Sequence, residues 1–516
     1  MLCGRKKVLS IRKYFFVSII MITRIKINNF KSLVDTELYF GPFTCIAGAN
    51  AAGKSNFFDA ILFLSNLADN PILHAAKSVR SNNQKSNIKD IFFRSGQTYS
   101  QKILFEVDMI VPKQSEDDLG QTAEAAITAL RYILELQLNE SGDNEQTIQI
   151  VKEELLPLKK SEIKKSIGFQ YNKDWFETIF LGSRQNGTPF FSTTGDKIRL
   201  HQDGNKGRTT QFISSKMPRT LLSTVTAEFP TAFLARKEMR NWKMLQFEPS
   251  VLRQPNSIYD FKNAEITANG LNLPATLYRL HSENSTKDIY QQLTNKLKGL
   301  VEDVYEVFID KDDKRDLLTL QIKFKGGLIL PAQSLSDGTL RFLALAIIEQ
   351  DTKNSGLICL EEPENGINPK KIFQIVDLLK DIANDTNYSV DEDNPLRQVI
   401  INTHSPIVVS SVPDESLYLA RTKEYQSEES NKKIMGTSFS ALPNTWKTQM
   451  KENPIEETSK GEMIAYLDKD YTEQTSFEIS RPILEGSQRK NTDKKKEVVN
   501  DKKTVSEYFQ QLQLGF

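Results

Sequence analysis

The chain has 516 residues, enough for two or three domains, and its 67 basic and 66 acidic residues leave a net charge of +1. That balance excludes any reading as nucleic-acid coat or membrane-surface protein from bulk charge, although a local basic face is untouched by the sum. Three cysteines without a C-x-x-C pair exclude a disulfide framework and a structural zinc, and fit a reducing cytoplasm.

Residues 1–20 place Arg5, Lys6, Lys7, Arg12 and Lys13 before a short apolar stretch at 14–20. It resembles a signal peptide on the surface, but no small-residue cleavage site follows and the stretch is too short to span a bilayer. We read it as an extension ahead of a true start at Met21. No other run is long and apolar enough for a membrane helix. Residues 22–27 then alternate as a strand, 38–40 continue one, and the apolar run 43–47 reads as a buried strand.

That strand enters Gly48-Ala49-Asn50-Ala51-Ala52-Gly53-Lys54-Ser55, which matches G-x-x-x-x-G-K-[ST] at every fixed position. A helical period follows over 56–64, starting at Asn56. Glycines at 48 and 53 let backbone N–H groups wrap phosphates with no Cβ in the way, and the helix points its partial positive end at the same anion. Lys54 adds a point charge, and the Ser55 hydroxyl is placed to ligate Mg²⁺.

The stretches 102–111, 129–139 and 147–157 alternate as antiparallel strands, predicting a β-rich lobe. Residues 182–207 read as loops and hairpins. From 218 to 300 the period becomes helical, with amphipathic segments at 271–281 and 289–304; strand-like runs at 305–309 and 317–324 are expected to return to the core. Within the helical part, Arg236-Lys237-Glu238-Met239-Arg240-Asn241-Trp242-Lys243 mixes bases with an aromatic. It reads either as a solvated helix face or as a stretch tracking a nucleic-acid backbone.

A second motif cluster begins at Gln333-Ser334-Leu335-Ser336-Asp337-Gly338-Thr339-Leu340-Arg341. The Ser336 hydroxyl, the Gly338 N–H and the dipole of the following helix converge on one anion-binding spot, or Ser336 is simply an N-cap. The apolar strand 357–360 ends in Glu361-Glu362-Pro363-Glu364-Asn365-Gly366. Adjacent carboxylates at the end of a buried strand are costly unless they serve a cation or a water, so Glu361 is expected in the Mg²⁺ shell and Glu362 beside the attacking water. The strand 398–403 ends in His404-Ser405-Pro406, where a neutral imidazole could bond a terminal phosphate and sense its loss. Residues 487–503 are lysine-rich and read as a solvated linker; 504–516 regain apolar residues and read as a back-folding helix or a docking peptide.

These four elements, in this order, resemble the ATP-binding-cassette superfamily. Within it they resemble the P-loop heads shared by DNA-repair and chromosome-maintenance ATPases, RecF-like and OLD-like heads included, and by AAA-type ATPases of bacterial phage defence. The opening I-T-R-I-K-I-N-N-F-K-S at 22–32 adds to the likeness, which covers 21–64 and 329–419; in the middle only L-Q-F-E-P-S-V-L-R-Q-P at 245–255 is shared in general character. The resemblance implies an α/β ABC-type P-loop ATPase head with a mixed central sheet, an antiparallel β-lobe and an inserted helical subdomain. The implied divisions are an extension 1–20, an N-terminal lobe 21–215, a helical insertion 216–328, a C-terminal lobe 329–440 and a polar tail 441–516.

It further implies ATP and Mg²⁺ as cofactors and head-to-tail pairing of two copies, or a higher homo-oligomer. Gly48, Asn50, Gly53, Lys54, Ser55 and Asn56 would bind nucleotide in one copy, with Ser336 and Gly338 reaching it from the other. Catalysis would fall to Glu362, His404 and Lys54, and the metal to Ser55 and Glu361. Two positions depart from the family: Glu361 stands where Asp is common, and Asn368 where defence ATPases often carry His. The nearest arrangement is the Septu type, in which a PtuA-like ATPase assembles with an HNH-type nuclease. The alternative is a repair-type or OLD-like ATPase acting directly on nucleic acid. A C-terminal Toprim nuclease needs an acidic residue before a later D-x-D, whereas Asp468-Lys469-Asp470 precedes Glu485. The absence of sustained heptads argues against long coiled-coil arms, and no feature suggests a transporter.

Overall fold

The computed structural model describes residues 21–79, 87–140, 146–182, 187–204, 209–283, 288–353, 356–426, 433–450 and 455–468, and all of them belong to one compact unit. The extension 1–20 and the tail stretches 487–503 and 504–516 lie outside the described residues.

Two large sheets organise the described chain. The first has seven strands in the order Lys243–Leu245, Gly356–Glu361, Arg397–Thr403, Phe43–Gly48, Leu417–Gln426, Lys433–Ala441 and Glu456–Glu457. Its first five strands run parallel. The two central strands are buried at every position, as expected for parallel strands covered on both faces. Register places Leu360 beside Ile401 and Ile401 beside Cys45. The three motif-bearing strands therefore end side by side, at the carboxyl edge where open α/β sheets bind ligands.

The second sheet is eight-stranded and antiparallel, running from Thr209–Ile213 at one edge to Leu33–Tyr39 at the other. The strands expected over 102–111, 129–139 and 147–157 form as Lys102–Ile110, Ala129–Glu140 and Gln146–Pro157, paired as predicted. The helix Lys54–Leu67 contributes Phe57, Phe58 and Phe63 to the core that includes both sheets. Phe63 meets Phe30 and Phe105 at ring-centroid distances of 5.7 and 5.8 Å. Each buried phenylalanine contributes about 1.5–3 kcal/mol, so the phosphate-loop helix is fixed by packing rather than by propensity. The mixed α/β class with an antiparallel lobe is as expected.

The runs at 305–309 and 317–324 return to the core, sharing one apolar cluster with Cys45 and Ile401 of the central sheet, but they do not become strands of that sheet. As Val304–Asp312 and Leu317–Phe324 they pair with each other and, with Asn256–Ser257 and Ile329–Pro331, make a separate four-stranded sheet. The reason is packing. Leu277, Leu293 and Leu297 of the helices Leu273–Glu283 and Ile289–Leu300 bury against Val307, Leu320 and Ile322 in one cluster, and that apolar face occupies the strands. Beyond Ala441 the chain stays in the fold: Glu456–Glu457 pairs with Ser440 and Ala441, and Met463 and Leu467 are buried.

Candidate functional site

The phosphate loop joins the strand Phe43–Gly48 to the helix Lys54–Leu67. Its two glycines are required for different reasons. A Cβ at Gly48 would lie 2.7 Å from the Ala420 carbonyl oxygen on the neighbouring strand. Gly53 sits at φ +95°, a left-handed conformation, and its Cβ would fall 1.9 Å from Thr437 Oγ1. Lys54 is only 6% exposed, and its ammonium donates to the carbonyls of Gly48 (2.6 Å) and Ala49 (2.8 Å). Asn56 donates to Ser32 Oγ at 2.7 Å, and Ser32 Oγ lies 2.7 Å from Thr437 Oγ1. The loop is thus clasped between the turn at 31–32 and the strand Lys433–Ala441.

The carboxylate turn follows Gly356–Glu361. Asn402 donates to Glu361 Oε1 at 3.3 Å, while the Glu362 N–H is shared between Asn402 O (3.0 Å) and Oδ1 (3.1 Å). Glu362 adopts φ +47°, a left-handed conformation rare for a long side chain and typical of functional turns. Its carboxylate accepts from Asn365 Nδ2 and pairs with His404 Nδ1, both at 2.9 Å. The hydrogen bond from His404 pulls the Glu362 carboxyl down to about 2, and the same bond raises the imidazole above its ordinary value. An ionised carboxylate only accepts, so Nδ1 carries the proton. The carboxylate favours the protonated form of the imidazole expected here as a neutral one.

A cleft of about 710 Å³ brings Asn50, Gly53, Lys54, Ser55 and Asn56 together with Glu361 and Glu362. His404 reaches it through Glu362. Ser55 and Glu361 present hard oxygen donors of the kind Mg²⁺ takes when substrate oxygens and water complete its shell. Ser336 and Gly338 do not line this cleft. Ser336 is exposed and N-caps the helix Asp337–Gln350 by accepting from the Thr339 N–H. Arg253 braces that turn through the Leu335 carbonyl and the Asp337 carboxylate. Gly338 packs on the Gly366 carbonyl, where a Cβ would come within 2.2 Å.

Several cleft residues were given no role from sequence, Gln246 and Arg341 among them. Gln246 follows the short strand Lys243–Leu245, which runs parallel to the carboxylate strand; nothing in the local sequence signals its place. Arg341 lines the cleft and donates to the Asn365 carbonyl at 3.0 Å. Asn368 caps the turn Pro369–Lys371. In the basic stretch, Arg236 bonds the carbonyls of Ala68 and Val225 and the Asp69 carboxylate. Lys237 is held by Ser115 and Glu116. Trp242 is buried and donates to Glu238. Neither a free basic track nor a simply solvated face describes it. No metal-binding cluster of three or more His, Cys, Asp or Glu occurs among the described residues, and none of their helices is long and apolar enough to cross a membrane.

Comparison with solved structures finds SMC heads. One is bound to the C-winged helix domain of ScpA (13% identity, covering 82% of this chain and 98% of that chain, TM-score 0.41). Others are the SMC head domain from Thermotoga maritima (13%, 82% and 98%, 0.34) and a Pyrococcus furiosus head with an extended coiled coil bound to the C-terminal domain of ScpA (12%, 82% and 96%, 0.40). No curated protein matches. The family model AAA ATPase domain (AAA_15) matches residues 21–409, and the chain belongs to that family of ATPases.

Proposed function

We propose that this ATPase works as a pair of heads, each nucleotide held by the cleft of one copy and capped by Ser336 and Gly338 of the other. The observation that carries the reading is the convergence of Lys54, Ser55, Glu361 and Glu362 in one cleft from which Ser336 and Gly338 are absent. These two expected nucleotide-binding residues thus lie outside their own cleft, at a helix N-terminus where Ser336 is exposed and Gly338 is buried.

In this scheme Lys54 leaves the Gly48 and Ala49 carbonyls to meet the outer phosphates. Ser55 and Glu361 would hold Mg²⁺, which supplies charge neutralisation on the phosphate oxygens. Glu362 orients and deprotonates the attacking water. Paired with His404 its carboxylate is a weak base, and base strength follows pKa. Turning the imidazole from Glu362 toward the terminal phosphate restores basicity and registers the phosphate at once. The pairing is therefore an off state. Glu362→Gln tests the assignment: turnover should fall by about 10²–10⁴-fold with ATP binding retained, and unchanged turnover refutes it.

At the level of pathway we read the protein as the ATPase subunit of an anti-phage complex that regulates a separate HNH-type nuclease. The reading rests on the Septu-like motif set and on the absence of a nuclease motif in the sequence. The alternative, direct action on nucleic acid, loses support because Arg236 and Lys237 are engaged within the chain. Co-expression with an HNH-type nuclease, followed by pull-down, tests the partnership. A pure homo-oligomer with no associated nuclease counts against it.

A further inference from the structure

Glu364 sits in the carboxylate turn, two residues beyond Glu362, and has no part in the scheme above. It is 7% exposed. Its Oε1 accepts the Thr403 hydroxyl at 2.5 Å, and its Oε2 is buried without a partner. Thr403 is fully buried and is the last residue of the strand that ends before His404; its Oγ1 also accepts the Ser405 N–H at 2.9 Å. The bond therefore ties the turn that presents Glu362 to the two residues flanking His404.

A buried carboxyl with an orphaned oxygen is destabilising by itself, by roughly the cost of an unmade hydrogen bond. A surface turn has no packing need for one, since an apolar side chain of the same size would fill the space more favourably. The neighbouring geometry supplies a reason. Glu362 is held at φ +47°, a conformation that persists only when its surroundings over-determine it. Its backbone and carboxylate are held by Asn402, Asn365 and His404. The Glu364–Thr403 bond is a further tie on the same turn. We propose that Glu364 is a positioning residue: through Thr403 it sets the separation and alignment of the Glu362 carboxylate and the His404 imidazole, without itself touching nucleotide. The inference rests on the reading of Glu362 and His404 given above.

The test compares Glu364→Met, which keeps volume but removes the acceptor, with Glu364→Gln, which keeps an acceptor for Thr403. ATP turnover and equilibrium binding of a fluorescent ATP analogue are measured on the full chain. Displacing a catalytic group by about an ångström costs about a hundredfold. Glu364→Met should therefore lower kcat by about ten- to a hundredfold while KM and analogue affinity stay within about threefold. Glu364→Gln should restore most of kcat. Thr403→Val should mimic Glu364→Met, and the double variant should be no worse than either alone.

Wild-type kcat in Glu364→Met, additive losses in the double variant, or equal damage by Gln and Met overturns the proposal. If Glu364→Met does not fold, as judged by thermal melting, Thr403→Val against Glu364→Gln decides the matter. Glu362→Gln run alongside separates the two readings. If it leaves turnover intact, the catalytic assignment has failed; if it abolishes turnover while Glu364→Met does not, only the positioning role has failed.

Discussion

Replacing Gly53 by alanine probes how far the phosphate loop depends on a strand almost four hundred residues away. Gly53 lies at φ +95°, and a Cβ there falls 1.9 Å from Thr437 Oγ1, 2.9 Å from Thr437 Cβ and 2.8 Å from Ser32 Oγ. The left-handed conformation costs an alanine about 1–2 kcal/mol, and overlap with packed neighbours adds about 1–3 kcal/mol. The sum, about 2–5 kcal/mol, corresponds to roughly a thirty- to several-thousandfold loss of affinity if the loop must be native to bind. The two parts can be separated. Thr437→Gly removes both threonine atoms from the overlap but leaves the backbone strain and Ser32. Gly53→Ala/Thr437→Gly should therefore bind ATP about ten- to a hundredfold better than Gly53→Ala, a positive coupling in the double-mutant cycle. Equilibrium titration with a fluorescent ATP analogue, with thermal melts as a control for folding, gives both numbers. Wild-type affinity in Gly53→Ala, or no recovery in the double variant, refutes the reasoning.

Lys54→Ala and Ser336→Arg should each abolish turnover alone, and mixing the two proteins should restore part of it, because a mixed dimer contains one intact Lys54–Ser336 site; no restoration on mixing argues against composite sites. The His404–Glu362 pair also predicts a pH dependence. His404 is raised above its ordinary 6.5, so its contribution is complete below that pH and disappears as pH rises through the folded value. Glu362 is lowered from 4.5 to about 2, so its contribution is complete above 4.5 and disappears on acidification. With Glu364 and Lys54 also facing the imidazole, the pair stabilises most between about 4.5 and 6.5, and the difference in melting temperature between wild type and His404→Gln should shrink from pH 6 to pH 9. Finally, Arg279 pairs with Asp351 at 2.6 Å, both almost wholly buried. Arg279→Met should lower stability by about 3–5 kcal/mol in denaturant melts, because it strands a buried carboxylate, whereas Arg315→Met, at an exposed pair, should change it by less than about 1 kcal/mol.

The motifs of the candidate site were legible in the sequence because each is contiguous. The octapeptide 48–55 carries its own glycines, lysine and hydroxyl; the apolar strand before Glu361 and the one before His404 announce their ends by a change from apolar to charged residues. Alternation over 102–157 likewise predicted antiparallel strands, since a half-buried strand writes its two faces into every second residue. What sequence could not supply was adjacency. That Thr437 closes on Gly53, that Asn402 serves both glutamates, that His404 meets Glu362 in a hydrogen bond, and that Gln246 follows a strand next to the carboxylates all depend on strand order, which spacing along a chain does not encode. The runs at 305–309 and 317–324 show the same limit: their strand character was readable, but the helices that draw them into a separate sheet act through packing between distant segments. Residue type fixes what a group can do; only the fold decides which groups stand within 3 Å of each other, because hydrogen bonds and ion pairs fall off over that distance.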